Sequence, residues 1–396
     1  MMKKLLILGA GIYQVPLIKK AKQMGLYTIV ASYRGAYPGL AYADEAWEVD
    51  TRDSKELLAC AREARIDGAL TAGTDVAVRS LGVICEALGL PGISEQSAKV
   101  VTDKALMKEA FVKGQVATPM AYKVTSLDEA VKAFASIGGL ALIKAVDSSG
   151  SRGITKVEKV EDIKAAWASA RKVSKTDYLL VEEFVDAHEI GVDGFISDGE
   201  IKFMLPHDKF THTVDNVTIP AGHMFPFDCS AELEAEILRQ MQLAVDATGL
   251  NNCAVNADVL VTGDKAYILE IGGRSGATCI PELISIYGDF DYYKAMIMNA
   301  LGEPPKLAFG KSTACMGKLL FADKGGTITT IDEVQIDELR LSGADISLDY
   351  SIGAKVEAVR DGTSRIGQVI MQTSDVKVLD EILFKVRGAI SIDEKN

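Results

Sequence analysis

The feature that most constrains this chain is the apolar run Lys4–Ala10 (KLLILGA), closed by Gly9-Ala10-Gly11 and followed by a helical stretch. An apolar run this short, without polar alternation, belongs to a strand buried on both faces. The theme repeats. Tyr27–Ser32 and Gly68–Gly73 read as strands, and Leu57–Arg65 and Val76–Leu88 read as helices. Strands alternating with helices predict a doubly wound parallel sheet. Leu90-Pro91-Gly92 ends this region, so a first domain is expected over 1–92.

The middle of the chain has a different texture. Leu140–Val146, Tyr178–Phe184, Glu189–Ile196 and Ile201–Leu205 are strand candidates, and Ser230–Thr248 is a helix with a serine cap. Gly302–Lys311 is a linker by its glycine and proline content. The expected boundaries are 93–305 for a second domain, 117–186 for a subdomain within it, and 306–396 for a small α+β domain with a helix at Ser374–Val386. The fold class is thus α/β followed by α+β.

With 43 Lys and Arg against 55 Asp and Glu, the net charge is −12. A nucleic-acid partner is not expected, because a phosphate backbone calls for a basic surplus. The six cysteines form no Cys-x-x-Cys pair, which disfavours a disulfide framework or cysteine zinc site. The N-terminal apolar run is too short for a signal peptide, and no apolar stretch reaches membrane-spanning length. The expectation is a cytoplasmic protein without a membrane partner.

Gly9-Ala10-Gly11 invites a dinucleotide-binding reading. Gln14 stands where the third glycine belongs, and no acid follows the second strand. A tight strand-to-helix turn is favoured, with an anion site at the helix start as a third reading. Lys144 ends an apolar strand and calls for an anion, since an unpaired buried ammonium is costly. Asp147–Gly153 follows as a loop of small residues suited to phosphates, with candidates Ser149, Gly150 and Ser151. Lys104, opening a helix, is a second cation candidate.

Ala254–Val261 and Ala266–Ile271 read as a hairpin around Thr262-Gly263-Asp264-Lys265. A turn centred on Asp264 sets Asp258 opposite Glu270 and Asn256 opposite Gly272. Opposed side chains lie about 4.5–5.5 Å apart at Cβ, so two acids there repel unless a cation joins them. Mg²⁺ or Mn²⁺ is the expected remedy. A solvated acid or a one-residue slip is the competing reading. Arg274 adds a permanent cation just beyond.

In order and spacing these segments resemble the ATP-grasp superfamily, carboxylate–amine ligase type, across nearly the whole chain. DKALMKEAF carries Lys104, LIKAVDSSGSRGI carries Lys144 and the glycine-rich loop, LLVEEFVDAHEIGVDG resembles the hinge, and VNADVLVTGDKAYILEIGGRSG resembles the metal hairpin. Cys315–Thr327 is similar to the terminal domain of L-amino-acid ligases. The resemblance implies an ATP-grasp fold behind a pre-ATP-grasp domain, with 117–186 as its lid. It implies ATP and a divalent metal as cofactors, and small carboxylate and amine substrates joined through an acyl phosphate. Glu182 and the backbone of Glu183 and Val185 would read the adenine, Glu189 the ribose, and Leu260 and Leu269 would pack on the base. Asp258 and Glu270 would hold the metal. Lys144 and Arg274 would serve the transferring phosphoryl group.

The family usually has an Asn where this chain has Gly272, so Asn256 is expected to reach the metal from the facing strand. His223, Arg274 and Gly276 are expected substrate contacts. His188 could touch the nucleotide; His207, His212 and His223 lie in Pro206–Phe227, the stretch that lines the acceptor pocket in related ligases. A hydrogen-bonded surface role competes for each histidine. Relatives are often dimers, so a homodimer is an expectation. Three other readings stay open: a carboxylase or synthetase resembling purine or carbamoyl-phosphate enzymes, a non-catalytic nucleotide-binding protein, and a nicotinamide-dependent dehydrogenase.

Overall fold

The structure, a computed structural model, describes residues 2–147, 153–214 and 217–393. The N-terminal region is a four-stranded, all-parallel sheet in the order Glu45–Glu48, Tyr27–Ser32, Lys4–Leu8, Gly68–Leu70. Alternation along Lys4–Leu8 explains its unbroken apolar sequence. Leu6 and Leu8 pack with Leu57 and Ala61 of helix Ser54–Ala64, while Leu5 and Ile7 pack with Leu17 and Ile18 of helix Val15–Gln23. Both faces are covered, as the doubly wound reading requires. The strand at Gly68 is shorter than expected, because beyond Leu70 the chain leaves the ladder and Thr71 donates its hydroxyl to Leu8 O at 2.7 Å.

A second four-stranded sheet, Ala121–Val124, Leu179–Glu183, Ala141–Lys144 and Ile154–Val157, is antiparallel. Helices Leu127–Ile137 and Ile163–Val173 bury its outer side through Ala130, Ala133, Ala166 and Ala170. Small residues at these positions let helix and sheet approach closely.

The largest sheet has eight strands in the order Lys265–Gly272, Cys253–Thr262, His188–Ser197, Glu200–Val214, Val217–Phe225, Cys315–Phe321, Arg365–Met371, Asp345–Leu348. Its hydrogen bonding runs straight across the linker, since Val217–Phe225 pairs with Cys315–Phe321. The expected strand Ile201–Leu205 is the opening of a much longer one. That strand pairs with His188–Ser197 up to His207 and with Val217–Phe225 from Asp208 onward. Pro206 sits where the ladder changes partner, so its missing N–H costs little. Three short strands and helices Glu333–Leu341 and Val376–Gly388 complete the C-terminal part around a separate core.

Candidate active site

The carboxylate hairpin has the expected pairing by a different route. The turn is Gly263-Asp264, with Thr262 paired to Lys265, so its centre is half a residue from Asp264. An irregularity between Asp258 and Val259 leaves Leu269 as an extra residue and restores Asp258 opposite Glu270 and Asn256 opposite Gly272. Leu260 is buried, and Leu269 is half-buried at the bulge.

The two acids are held by cations from different elements. Lys104, at the start of helix Lys104–Lys113, reaches Glu270 at 2.7 Å. Lys209 bridges Asp258 and Glu189, the latter at 2.8 Å. Their titrations are driven apart. The Lys104 charge outweighs burial and lowers Glu270 to about 2. Burial, aided by Glu270 and Glu189, outweighs Lys209 and raises Asp258. Burial acts against the Lys209 ammonium, but Asp258 and Glu189 overcome it and raise its pKa.

Lys144 is buried, and its anion is Glu182. The same carboxylate takes Lys108 at 3.0 Å. Glu182 was expected at the adenine edge; it instead lies between two buried ammonium groups, which hold its pKa down against burial. Burial lowers the pKa of Lys108 despite Glu182. The Glu183 N–H donates to Met120 O at 2.8 Å, so a backbone contact from Glu183 would use its carbonyl. Val185 lies two residues past the end of that strand. Ser149, Gly150 and Ser151 lie outside the described residues.

Arg274 is gripped by Asp75, from the N-terminal region, through Nε and Nη2 at 2.8 Å each. Its Nη1 donates to Asn256 Oδ1 at 2.5 Å. Asn256 Nδ2 donates to Asp193 Oδ2 at 2.9 Å. The expectation of Asn256 as a metal ligand is therefore revised: both ends of its amide are engaged in fixing Arg274. Gly272 gains a reason as well. A Cβ there would stand 3.2 Å from Asp75 Oδ1, so the Asp75 carboxylate occupies the space of a side chain.

Asp193 is fully buried and also accepts from Gly276 N–H at 3.0 Å and pairs with His207 Nε2 at 3.0 Å. Gly191 leaves room for the His207 ring. His223 lies opposite Lys209 in the ladder, edge-on to His207, with Nδ1 unpartnered. Burial, then His207 and Lys209, push its pKa well down, so it is neutral. His188 pairs with Asp208 at 2.9 Å, and His212 stacks on Phe321.

Sequence reasoning missed Asp75, Lys108, Asp193 and Lys209. Lys108 was findable, being one helical turn from Lys104 on the same face. The others join the site through tertiary pairing alone. The glycine turn near the N-terminus is filled from within. Gln14 folds back, donates Nε2 to Ala72 O at 2.5 Å, and lies 3.1 Å from where a Gly9 Cβ would be. A pyrophosphate would need that space.

Comparison with known proteins agrees with this geometry. The ATP-grasp domain family matches residues 140–282. The structure of phosphoribosylglycinamide synthetase from Anaerococcus prevotii superposes with a TM-score of 0.82 at 28% identity, covering 100% of both chains. That of L-amino acid ligase from Bacillus licheniformis gives 0.79 at 16% identity, covering 100% of this chain and 99% of the other. Alanine–anticapsin ligase of Bacillus subtilis is 24% identical over 249 residues, 56% of this chain. The chain spans about half of that relative's length, 51%. A doubly wound N-terminal sheet, a split middle and paired acids on a hairpin make up an ATP-grasp fold, and residues 140–282 carry the match to the ATP-grasp domain.

Proposed function

We propose that the chain joins a small carboxylate to a small amine through an acyl phosphate, with Asp258 and Glu270 at the reacting end of the nucleotide. The observation that carries the reading is the facing acid pair with a lysine on each. The carboxylate oxygen attacks the γ-phosphorus and ADP leaves; the amine then attacks the acyl carbon, loses a proton and expels phosphate. No nucleophilic side chain is needed, so the chain's work is positioning and charge balance.

Lys104 and Lys144 would hold the triphosphate, each exchanging its present carboxylate for phosphate oxygens. Glu183, Val185 and Leu260 would frame the base, and Glu189 the ribose. Arg274, fixed by Asp75 and Asn256, would face the charge that develops on the phosphoryl group. Two hard oxygen donors fit Mg²⁺ or Mn²⁺, and the residues to hold it are Asp258 and Glu270. A metal bound there would neutralise phosphoryl charge.

The substrates are small molecules. No helix among the described residues is long and apolar enough to cross a membrane, and the reading assigns a cytoplasmic enzyme, working as a homodimer. The full-length likeness to a phosphoribosylglycinamide synthetase favours a purine-type synthetase as the second reading. The test is a screen of carboxylate and amine pairs for ADP and phosphate release, with product masses measured. ADP release that needs both partners and yields the condensed mass supports the ligase; release with neither partner, or no release, refutes it.

A further inference from the structure

A cavity of about 230 Å³ opens where the N-terminal sheet's first helix, the start of helix Ile280–Gly288 and strands Asp345–Leu348 and Arg365–Met371 meet. None of the nucleotide-site lysines or acids lines it. Gly276 does, and it lies two residues beyond Arg274, a chain distance of about 7 Å. The cavity therefore adjoins the reacting end of the proposed site without being part of it.

Its charges are unevenly satisfied. Arg365 is only 6% exposed, and its guanidinium is spent on Asp349, with Nε at 2.6 Å and Nη2 at 3.0 Å. Its Nη1 donates to Gln368 Oε1 at 2.7 Å, and the group stands over the Tyr13 ring. Lys19 is exposed at the rim and lies over the Tyr42 ring at 4.4 Å. Glu282 is different. Its partner is the Tyr293 hydroxyl, which donates to Oε1 at 3.0 Å. No ion pair with Glu282 occurs among the described residues. Arg365 is paired with Asp349, which leaves Glu282 as the cavity-lining acid without a salt bridge among the described residues.

The backbone is bent to deliver that acid. Thr278 and Cys279 both lie in the left-handed region, at φ 54° and 70°, immediately before the helix that carries Glu282. A β-branched residue there is strained, and such strain concentrates at ligand sites. Burial raises the pKa of Glu282, outweighing a backbone hydrogen bond, the Tyr293 hydroxyl and the Arg365 charge that pull it down. A ligand ammonium would supply the missing charge-assisted bond.

We propose that this cavity is the acceptor pocket, and that it takes a primary ammonium compound without phosphate, its nitrogen on Glu282 and its apolar body along Val15 and Leu348. The proposal rests on the ligase reading and narrows it. A phosphorylated acceptor would meet an arginine already paired with Asp349 and an acid without a salt bridge.

Calorimetric titration of the full chain tests this, with L-leucinamide as the cation, N-acetyl-L-leucinamide as its neutral counterpart and ribose 5-phosphate as the anion. ADP with Mg²⁺ is titrated separately. L-leucinamide is expected to bind and the other two not to. Glu282→Gln, which keeps the Tyr293 hydrogen bond, should weaken L-leucinamide at least about tenfold, the value of one lost charge-assisted contact. It should leave ADP affinity and the unfolding midpoint unchanged. Asp349→Asn, which unpairs Arg365, should turn the cavity toward ribose 5-phosphate. Ribose 5-phosphate binding the wild-type chain more tightly than L-leucinamide overturns the proposal. So does absence of L-leucinamide binding, or binding indifferent to Glu282→Gln. If ADP binds while L-leucinamide does not, the pocket assignment falls and the ligase reading stands; if ADP itself fails to bind, both fall.

Discussion

Two places in this chain look like nucleotide sites by sequence, and they end up opposite in character. The glycine turn at Gly9–Gly11 has the strand, the turn and the helix of a dinucleotide site, yet Gln14 plugs it and hydrogen-bonds to Ala72. The hairpin at Asp258 and Glu270 has only two acids on a β-ribbon, yet four charged groups, Lys104, Lys209, Asp258 and Glu270, gather there. A glycine motif reports backbone shape, which many folds need. Like charges held face to face report an unmet electrostatic demand, and so point more directly to a ligand.

The sharpest way to break this contrast is Asp258→Asn. It keeps side-chain volume and removes the charge. ADP formation should drop by about 10²–10³, as when a single group serving transition-state charge is lost. The Tm at neutral pH should not fall and should rise modestly, because Glu189 still holds Lys209 and a disfavoured buried charge is gone. A variant that releases ADP normally would make the acid pair structural.

Gly272→Asn restores the residue the family usually carries. A Cβ at that position meets Asp75 Oδ1 at 3.2 Å, so the Asp75 carboxylate must give way and its paired grip on Arg274 is disturbed. A loss of about tenfold in kcat is expected from the misplaced guanidinium. Adding Asp75→Ala should then cost little more, since the grip is already lost. Full additivity of the two changes would show that Asp75 does not act through Arg274.

The pairing of Asp258 with Glu270 was legible because a turn and a period of two fix it. Lys144 was legible because a lysine closing an apolar strand demands an anion, though the anion proved to be Glu182 rather than phosphate in this state. Asp75 and Lys209 were not legible. Asp75 comes from almost two hundred residues away from Arg274, through Gly73 N–H on Ser275 O and the bridge between Ala72 and Ser275. Lys209 sits on a strand whose Pro206-His207-Asp208 reads as loop until the change of ladder partner at His207 is seen. The C-terminal segment read as a separate domain because its linker is rich in glycine and proline, while the sheet hydrogen bonds that cross it leave no local trace.

Acid sensitivity sharpens the comparison from the side of the hairpin. Glu270 has its pKa lowered to about 2 in the folded chain. Unfolded, a glutamate titrates near about 4.3. Its contribution to stability is therefore present above about pH 4.3 and lost as pH falls toward about 2. Glu270→Gln should flatten the stability profile in that window and lower Tm at neutral pH, because the ion pair with Lys104 is lost. Asp258, whose pKa is raised, contributes with the opposite sign: as pH rises through its folded value, the buried charge it acquires disfavours the folded state. An Asp258→Asn chain more stable than wild type at neutral pH and no more stable in acid would agree with that sign.

The smallest expected effect lies at the glycine turn. Gln14 is buried, and its amide satisfies the Ala72 carbonyl. Gln14→Ala opens a void beneath Gly9 and leaves that carbonyl without its donor. The cost should be about 1–3 kcal/mol of stability, read by denaturant unfolding, since a buried acceptor is left unpaired. ADP formation at a temperature where the variant is folded should be unchanged, and titration with NADH should give no heat. Those two results together would separate a turn that the fold requires from a site that the chemistry uses. A Gln14→Ala chain that gained NADH binding would mean the turn is a dinucleotide seat held shut by one side chain, and the contrast between the two regions would then be one of occupancy rather than of kind.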